Sequence, residues 1–153
     1  MISEHINSQL AEFFNGNEGK IISTSYLLSK MDLHHLIEYK HELGFPLTSI
    51  ARLYIFRLIK GIRNYEALKK YLAKNELEAF QLGFSKGDDD NLELPPKRTY
   101  NHYLKTYLTL DKKHELDLIS ERILSLATNN NVVLDIEIVK KTDPKTGAAV
   151  TEG

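Results

Sequence analysis

A cluster of polar side chains in the second half of the chain has the chemistry to hold a phosphate backbone. Lys97, Arg98 and Thr99 directly follow Pro95-Pro96, and Asn101, His102 and Lys105 come within the next two turns. Tyr100, Tyr103, Leu104, Tyr107 and Leu108 recur at helical spacing between them, which predicts a helix opening just after the prolines. A helix N-terminus carries unpaired backbone N–H groups and the positive end of the helix dipole, so it attracts anions. Lys97 and Arg98 add charge neutralisation there, while Asn101, His102 and Lys105 can face bases or phosphates. A supporting basic edge is Arg57, Lys60 and Arg63, around Gly61. Each group has a plainer alternative. Thr99 can be an N-cap with its neighbours a solvated surface. The second set can be solvated, or Arg63 can pair with Glu66 three residues on.

The 153-residue chain has a net charge of −1, whereas dedicated nucleic-acid binders are usually basic. The distribution points the other way. Arg52, Arg57, Lys60, Arg63, Lys69, Lys70 and Lys74 face only Glu66 in one block, and Lys97, Arg98, Lys105, Lys112 and Lys113 face only Asp111 in another. Glu76, Glu78, Asp88, Asp89, Asp90 and Glu93 lie between them. Segregation of this kind builds a basic face on a neutral protein.

Positioning these residues requires a helical scaffold. A first helix is predicted over about Glu4 to Phe14, with Ile6, Leu10, Phe13 and Phe14 on one side, and NGNEGK ends it. Ile21 to Ser25 reads as a short extended or turn segment. Asp32 can cap a helix through Leu33, Leu36, Ile37 and Leu43, with Gly44 as its stop. Thr48 then caps the most apolar helix, whose Ile50, Leu53, Tyr54, Phe56, Leu58 and Ile59 predict the centre of the core, and Gly61 ends it. Asn64 caps the next helix, Asn75 interrupts it, and Gly83-Phe84 resembles a Schellman stop. SKGDDDN reads as a polar loop. Asp111 caps a last helix with Leu116, Ile119, Ile123, Leu124 and Leu126 inward.

After Thr128 the character changes. NNN makes a turn, and Val132 to Val139 is rich in β-branched residues, as a strand is. A lone strand needs a partner for its backbone. TDPKTGAAVTEG follows as a polar tail. The expected fold class is all-α: a compact multi-helix domain with a helix-turn-helix-like unit, then one short β-strand and a flexible C-terminal tail. The expected division is a helical domain over 1–128 and a strand and tail over 129–153.

Other chemistries have weaker signals. The chain has no cysteine, which excludes disulfides and thiolate metal sites. His34 and His41 share a helix face, and His35 stands beside them, but no HExxH-like pattern accompanies them, so no metal site is expected. The tyrosines fit core and rim positions better than base-stacking platforms. No nucleophile elbow, phosphate loop or Ser/His/Asp arrangement is present. The apolar runs are too short to span a membrane, and the N-terminus lacks a signal peptide's apolar stretch. A cytoplasmic protein is expected, nucleoid-associated when bound to DNA.

The run LYIFRLIKGIRNYEALKKYLAKNELEAFQLGF followed by LPPKRTYNHYLK resembles the N-terminal domain of DDE transposases of bacterial and archaeal insertion sequences. The likeness rests on the order of Gly61, Arg63, Tyr65, Leu68, Leu72, Leu82, Gly83, Phe84, Pro96, Thr99, Tyr103 and Leu104, and covers roughly Leu33 to Leu126. It implies binding of the element's terminal double-stranded DNA, with protomer contacts in a homodimer as a further role. It also implies an RNase H-like catalytic domain downstream, where three carboxylates hold two metal ions. Asp135 occupies the position of the first carboxylate, although Ile136 and Glu137 depart from the small residue and threonine usual there. One carboxylate cannot hold a two-metal site, so no catalysis and no cofactor are expected of this chain. Mg²⁺ would serve only a complete parent enzyme in DNA recombination. Asp135 can equally be a solvent-facing residue on a stray strand. The competing expectation is a helical protein-interaction and dimerisation module that regulates a full-length transposase in transposition.

Overall fold

A computed structural model describes residues 2–33, 41–42 and 44–135. The described residues are mostly helical, as the apolar spacing predicts. Helix α1 spans Glu4–Gly16, strand β1 Ile21–Ile22 and helix α2 Thr24–Ser29. A hairpin of β2 (His41–Glu42) and β3 (Phe45–Pro46) leads into α3 (Leu47–Lys60). Helices α4 (Tyr65–Lys74) and α5 (Glu76–Gln81) follow, then a second hairpin of β4 (Ser85–Lys86) and β5 (Leu92–Glu93). Helices α6 (Lys97–Thr106) and α7 (Leu110–Asn129) lead to β6 (Val133–Leu134).

The most apolar helix is the centre of the core. Ile50, Leu53, Ile55, Phe56 and Ile59 of α3 are buried. Its broadest packing is against α7, and it also touches α2 and α6. Tyr54 donates a 2.8 Å hydrogen bond to Asp117 across the α3–α7 interface, and its phenol pKa is pushed up to about 12, chiefly by burial. Helix α1 rests on α7 through Ile6, Leu10 and Phe14, and Ser3 caps it by accepting from the Ile6 N–H.

Several local signals act as expected. Gly61 ends α3 in the left-handed region at φ 72°. Asn64 caps α4 by accepting from the Ala67 N–H. Asn75 breaks the chain between α4 and α5, its amide donating back to the Tyr71 carbonyl. Gly83 has φ 107°, and the Phe84 N–H reaches the Ala79 carbonyl at 3.1 Å while Phe84 packs inward. That is the Schellman arrangement.

Other expectations need correction. The helix expected from Asp32 to Leu43 is not seen at its described residues, and positions 34–40 and 43 lie outside them. Residues 31–33 are irregular, and His41–Glu42 pair antiparallel with Phe45–Pro46 around Gly44 at φ 84°. The residue before a proline prefers extended backbone, which favours a strand at Phe45. Leu36, Ile37, His34 and His35 lie outside the described residues. Thr48 and Asp111 are not caps: α3 starts at Leu47 after Pro46, and α7 at Leu110 after Thr109. Thr48 is buried within its first turn, where its hydroxyl cannot act as a terminus. Leu124 is exposed rather than inward. SKGDDDN forms the tip of the β4–β5 hairpin, ordered by Asp89 accepting from the Asn91 N–H.

The C-terminal strand has its partner within the chain. β6 pairs parallel with β1, Ile21 opposite Val133 and Ile22 opposite Leu134. The Gly19 N–H also donates to the Asn130 carbonyl, and the Val133 N–H to that of Lys20. Residues 129–135 are thus packed into the helical body, with Val132 and Leu134 buried. The strand is one of six short ones among the described residues, not a single strand. Its predicted continuation to Val139 and the flexible tail lie outside those residues. Helix α5 and a hairpin separate α4 from α6, so a helix-turn-helix unit is not established by this arrangement.

Gly83 is the tightest backbone position. A Cβ there would collide with the buried Ser49 side chain, and φ 107° is closed to ordinary L residues. Gly83→Ala is expected to cost about 2 kcal/mol or more from strain and overlap together. Urea unfolding measures this, and an unchanged midpoint would contradict the close approach.

Candidate nucleic-acid interface

Helix α6 is cleanly two-faced. Tyr100 and Tyr103 are buried and Leu104 half-buried, while Lys97, Arg98, Asn101, His102 and Lys105 are exposed. At 100° per residue these five side chains share one contiguous face. Thr99 lies half-buried at its margin. Pro96 precedes the helix and no side chain caps it, so Thr99 is not an N-cap. The first helical N–H with an intrahelical carbonyl is that of Tyr100, which donates to Pro96 at 2.9 Å. Lys97, Arg98 and Lys105 make no ion pair among the described residues. His102 stands 3.5 Å from the Thr106 hydroxyl and edge-on to Tyr107.

Aromatic contacts fix where this face points. Tyr65, at the start of α4, stacks on Tyr100 with ring centroids 4.1 Å apart and planes 8° from parallel. The Tyr65 hydroxyl donates to the Pro95 carbonyl at 2.6 Å, which holds the proline approach. Tyr103 donates to the Phe45 carbonyl at 2.7 Å, tying α6 to the first hairpin. Burial, then the neighbouring Tyr100 and Glu66, push the Tyr65 phenol up. Burial also raises Tyr100, against the opposing Arg57 charge. Both phenols are therefore neutral near pH 7. The tyrosines of this region serve as packing, in keeping with their helical spacing.

The supporting edge is smaller than its composition suggests. Arg63 is exposed in the turn between α3 and α4. Arg57 is half-buried, and its Nη1 donates to the carbonyls of Ile62 at 3.1 Å and Arg63 at 3.4 Å. It holds the turn after α3 together. Arg52 likewise turns inward, donating to the carbonyls of Leu28 at 2.9 Å and Met31 at 2.8 Å at the end of α2. Lys60 is not on the edge at all. Its side chain is 1% exposed, and its ammonium lies 3.3 Å from Asp135. Three cations of the first basic block are thus engaged internally, whereas α6 presents its cations outward.

No protein family, curated protein or solved structure matches this chain. The reading of the basic face therefore rests on its geometry and on the ordered sequence resemblance.

Sequence reasoning missed the polar centre around Lys60. Its Nζ lies 5.6 Å from the Phe56 ring centroid and 5.2 Å from that of Tyr71. Asp135 accepts at one carboxylate oxygen from the Thr24 N–H at 3.1 Å and from the Thr24 hydroxyl at 3.0 Å. Tyr71 donates to Glu78 at 2.9 Å. Burial raises the Glu78 pKa, the Tyr71 hydrogen bond and the Lys60 charge lower it, and Asp135 raises it further. A signal was present: Phe56, Ile59 and Lys60 share the apolar face of one helix, where a lysine needs a counter-charge. This arrangement does not suit a divalent metal, because an ammonium and two N–H or O–H donors already face the carboxylate. Among the described residues no three His, Asp or Glu side chains converge as metal ligands. Asp135 is a partly buried residue, one of whose carboxylate oxygens meets Thr24 and the Lys60 ammonium, rather than a solvent-facing stray.

Two outcomes follow from this centre. Asp135→Ala leaves a buried ammonium without a counter-charge and is expected to cost about 3 kcal/mol. Adding Lys60→Met should recover much of it, and equal losses in both variants under urea would refute the pairing. Because the folded Glu78 pKa is raised, its contribution to stability is full below the ordinary carboxylate range. It is lost as pH rises through the folded value. Glu78→Gln should therefore flatten thermal stability with pH across that window, and a wild-type pH profile would contradict the burial cost.

Proposed function

We propose that this chain is a DNA-binding domain, and that its role is recognition of the terminal DNA of an insertion sequence, as the N-terminal part of a DDE transposase. The supporting observation is the exposed face of α6, where Lys97, Arg98, Asn101, His102 and Lys105 stand together behind a helix N-terminus without a side-chain cap. A helix of 10 residues is about 15 Å long, and the major groove of about 12 Å width admits such a helix. Lys97, Arg98 and the first backbone N–H groups suit phosphates. Asn101 suits an adenine edge, and Lys105 a guanine or a phosphate. Arg63 is the one exposed cation of the α3–α4 edge able to add a further backbone contact, with Arg57 shaping the turn that carries it. The ordered resemblance to transposase N-terminal domains supplies the biological setting.

On this reading the chain binds without catalysing strand transfer. Asp135 belongs to the buried centre with Lys60 and Thr24, so it supports the fold of the recognition unit. Partners beyond duplex DNA follow from surfaces other than α6. Among the described residues no helix is long and apolar enough to cross a membrane.

Fluorescence anisotropy with duplex DNA from the ends of the element, across a salt series, tests the proposal. Affinity is expected to fall steeply with salt, and the log–log slope to shrink by about one for each of Lys97→Ala, Arg98→Ala and Lys105→Ala. Asn101→Ala should instead narrow the preference for end DNA over random DNA by about 1–3 kcal/mol. Absence of binding at low salt, or undiminished binding by the triple lysine–arginine variant, would sink the reading.

A further inference from the structure

Helix α6 meets α4 through the Tyr65–Tyr100 stack, and α4 carries a cation beside that contact. The Lys69 ammonium lies 5.9 Å from the Tyr65 ring centroid. A cation held over a ring loses part of the rotamer freedom of a long surface side chain. Lys69 is half-buried and makes no ion pair among the described residues, Glu66 three positions before it included. Its charge is therefore held in place with no carboxylate against it. The plainer role of such a lysine is to cover the ring with its stem.

Helical periodicity puts Lys69 and Lys97 on the two sides of one seam. At 100° per residue, α6 turns from Tyr103, which is tied to Phe45, through Tyr100 and Leu104 to Lys97. The border of its exposed face nearest α4 is thus Lys97, and His102 lies toward the first hairpin. On α4 the turn runs from the buried Leu68 and Leu72 through Tyr65 to Lys69. Tyr65 also donates to the Pro95 carbonyl, so one side chain links Lys69 to the opening of α6. Lys70 and Lys74 lie further round α4, on the side turned away from Tyr65.

We propose that Lys69 is a DNA-backbone contact from a second helix. The phosphate chain that meets Lys97 at the opening of α6 crosses the Tyr65–Tyr100 seam and reaches Lys69 on α4. The inference rests on the reading of α6 as a DNA-recognition helix, and adds a residue and the side on which the strand passes. Contacts from α6 alone leave the duplex free to turn about that helix. A phosphate contact on a second, rigidly joined helix fixes its angle, as backbone contacts do.

Anisotropy of the full chain with the same end DNA across a salt series tests this, accompanied by urea unfolding of each variant. Lys69→Gln is expected to shrink the log–log slope by about one, as Lys97→Ala does. Lys69→Arg should keep the wild-type slope, and Lys74→Gln should leave it unchanged. A lysine that only covers the Tyr65 ring would give Lys69→Gln a lower urea midpoint and the wild-type slope. That result, beside a reduced slope for Lys97→Ala, overturns the inference and leaves the reading of α6 standing. Equal slope losses for Lys69→Gln and Lys74→Gln would also overturn it, because they mark a diffuse charge effect. A wild type that does not bind overturns both.

Discussion

A buried ammonium must be given a counter-charge, and much of this fold is arranged around that demand. Lys60 ends the central helix α3 on its apolar side, between the rings of Phe56 and Tyr71. Asp135, 75 residues later in the chain, supplies the charge. The same carboxylate accepts from the N–H and hydroxyl of Thr24 at the start of α2. One residue therefore joins the segment after β6, the first turn of α2 and the last turn of α3. The β1–β6 pairing delivers Asp135 there. Exchange of such a pair for apolar residues is often neutral, whereas removal of one partner is costly. The pair thus specifies how the segment after β6 meets α2 and α3 more than it stabilises that meeting.

The remaining cations divide by the same logic. Arg52 donates to carbonyls at and just after the end of α2, and Arg57 to those of Ile62 and Arg63 in the turn after α3. Turn carbonyls need donors as helix ends do, so a guanidinium there has a structural role. On α6 the cations face outward instead, because Tyr100 and Tyr103 take the inward positions. The Tyr65–Tyr100 stack and the Tyr103 hydrogen bond to Phe45 hold that helix against two different elements. A recognition surface benefits from such rigidity, since side chains positioned by a fixed backbone lose less freedom on binding.

Local signals in the sequence were good guides where one residue type decides a conformation. Gly61 and Gly83 take positive φ, Asn64 caps its helix, and the two prolines precede α6. The two-faced character of α6 was equally legible from its tyrosine spacing. Signals failed where competing residues offered the same service. Thr48 and Asp111 are good capping types, but each lies inside the first turn of its helix, which begins after Pro46 and after Thr109. The acidic stretch reads as a loop by composition, and its residues 87–91 do form one, joining the two short strands of a hairpin.

By itself, then, the sequence determined a helical domain, its central helix, most of its stops and the polar face of α6. These follow from backbone preferences and from periodicity, which act over a few residues. Only the tertiary structure decided which basic residues remain outside. Arg52, Arg57 and Lys60 look like Arg98 and Lys105 in composition, and their partners lie on other elements. It also decided that the last strand pairs with the first and that Asp135 faces Lys60. Such choices depend on contacts between residues distant in the chain, where burial sets the cost of a charge and only the assembled core shows what is buried.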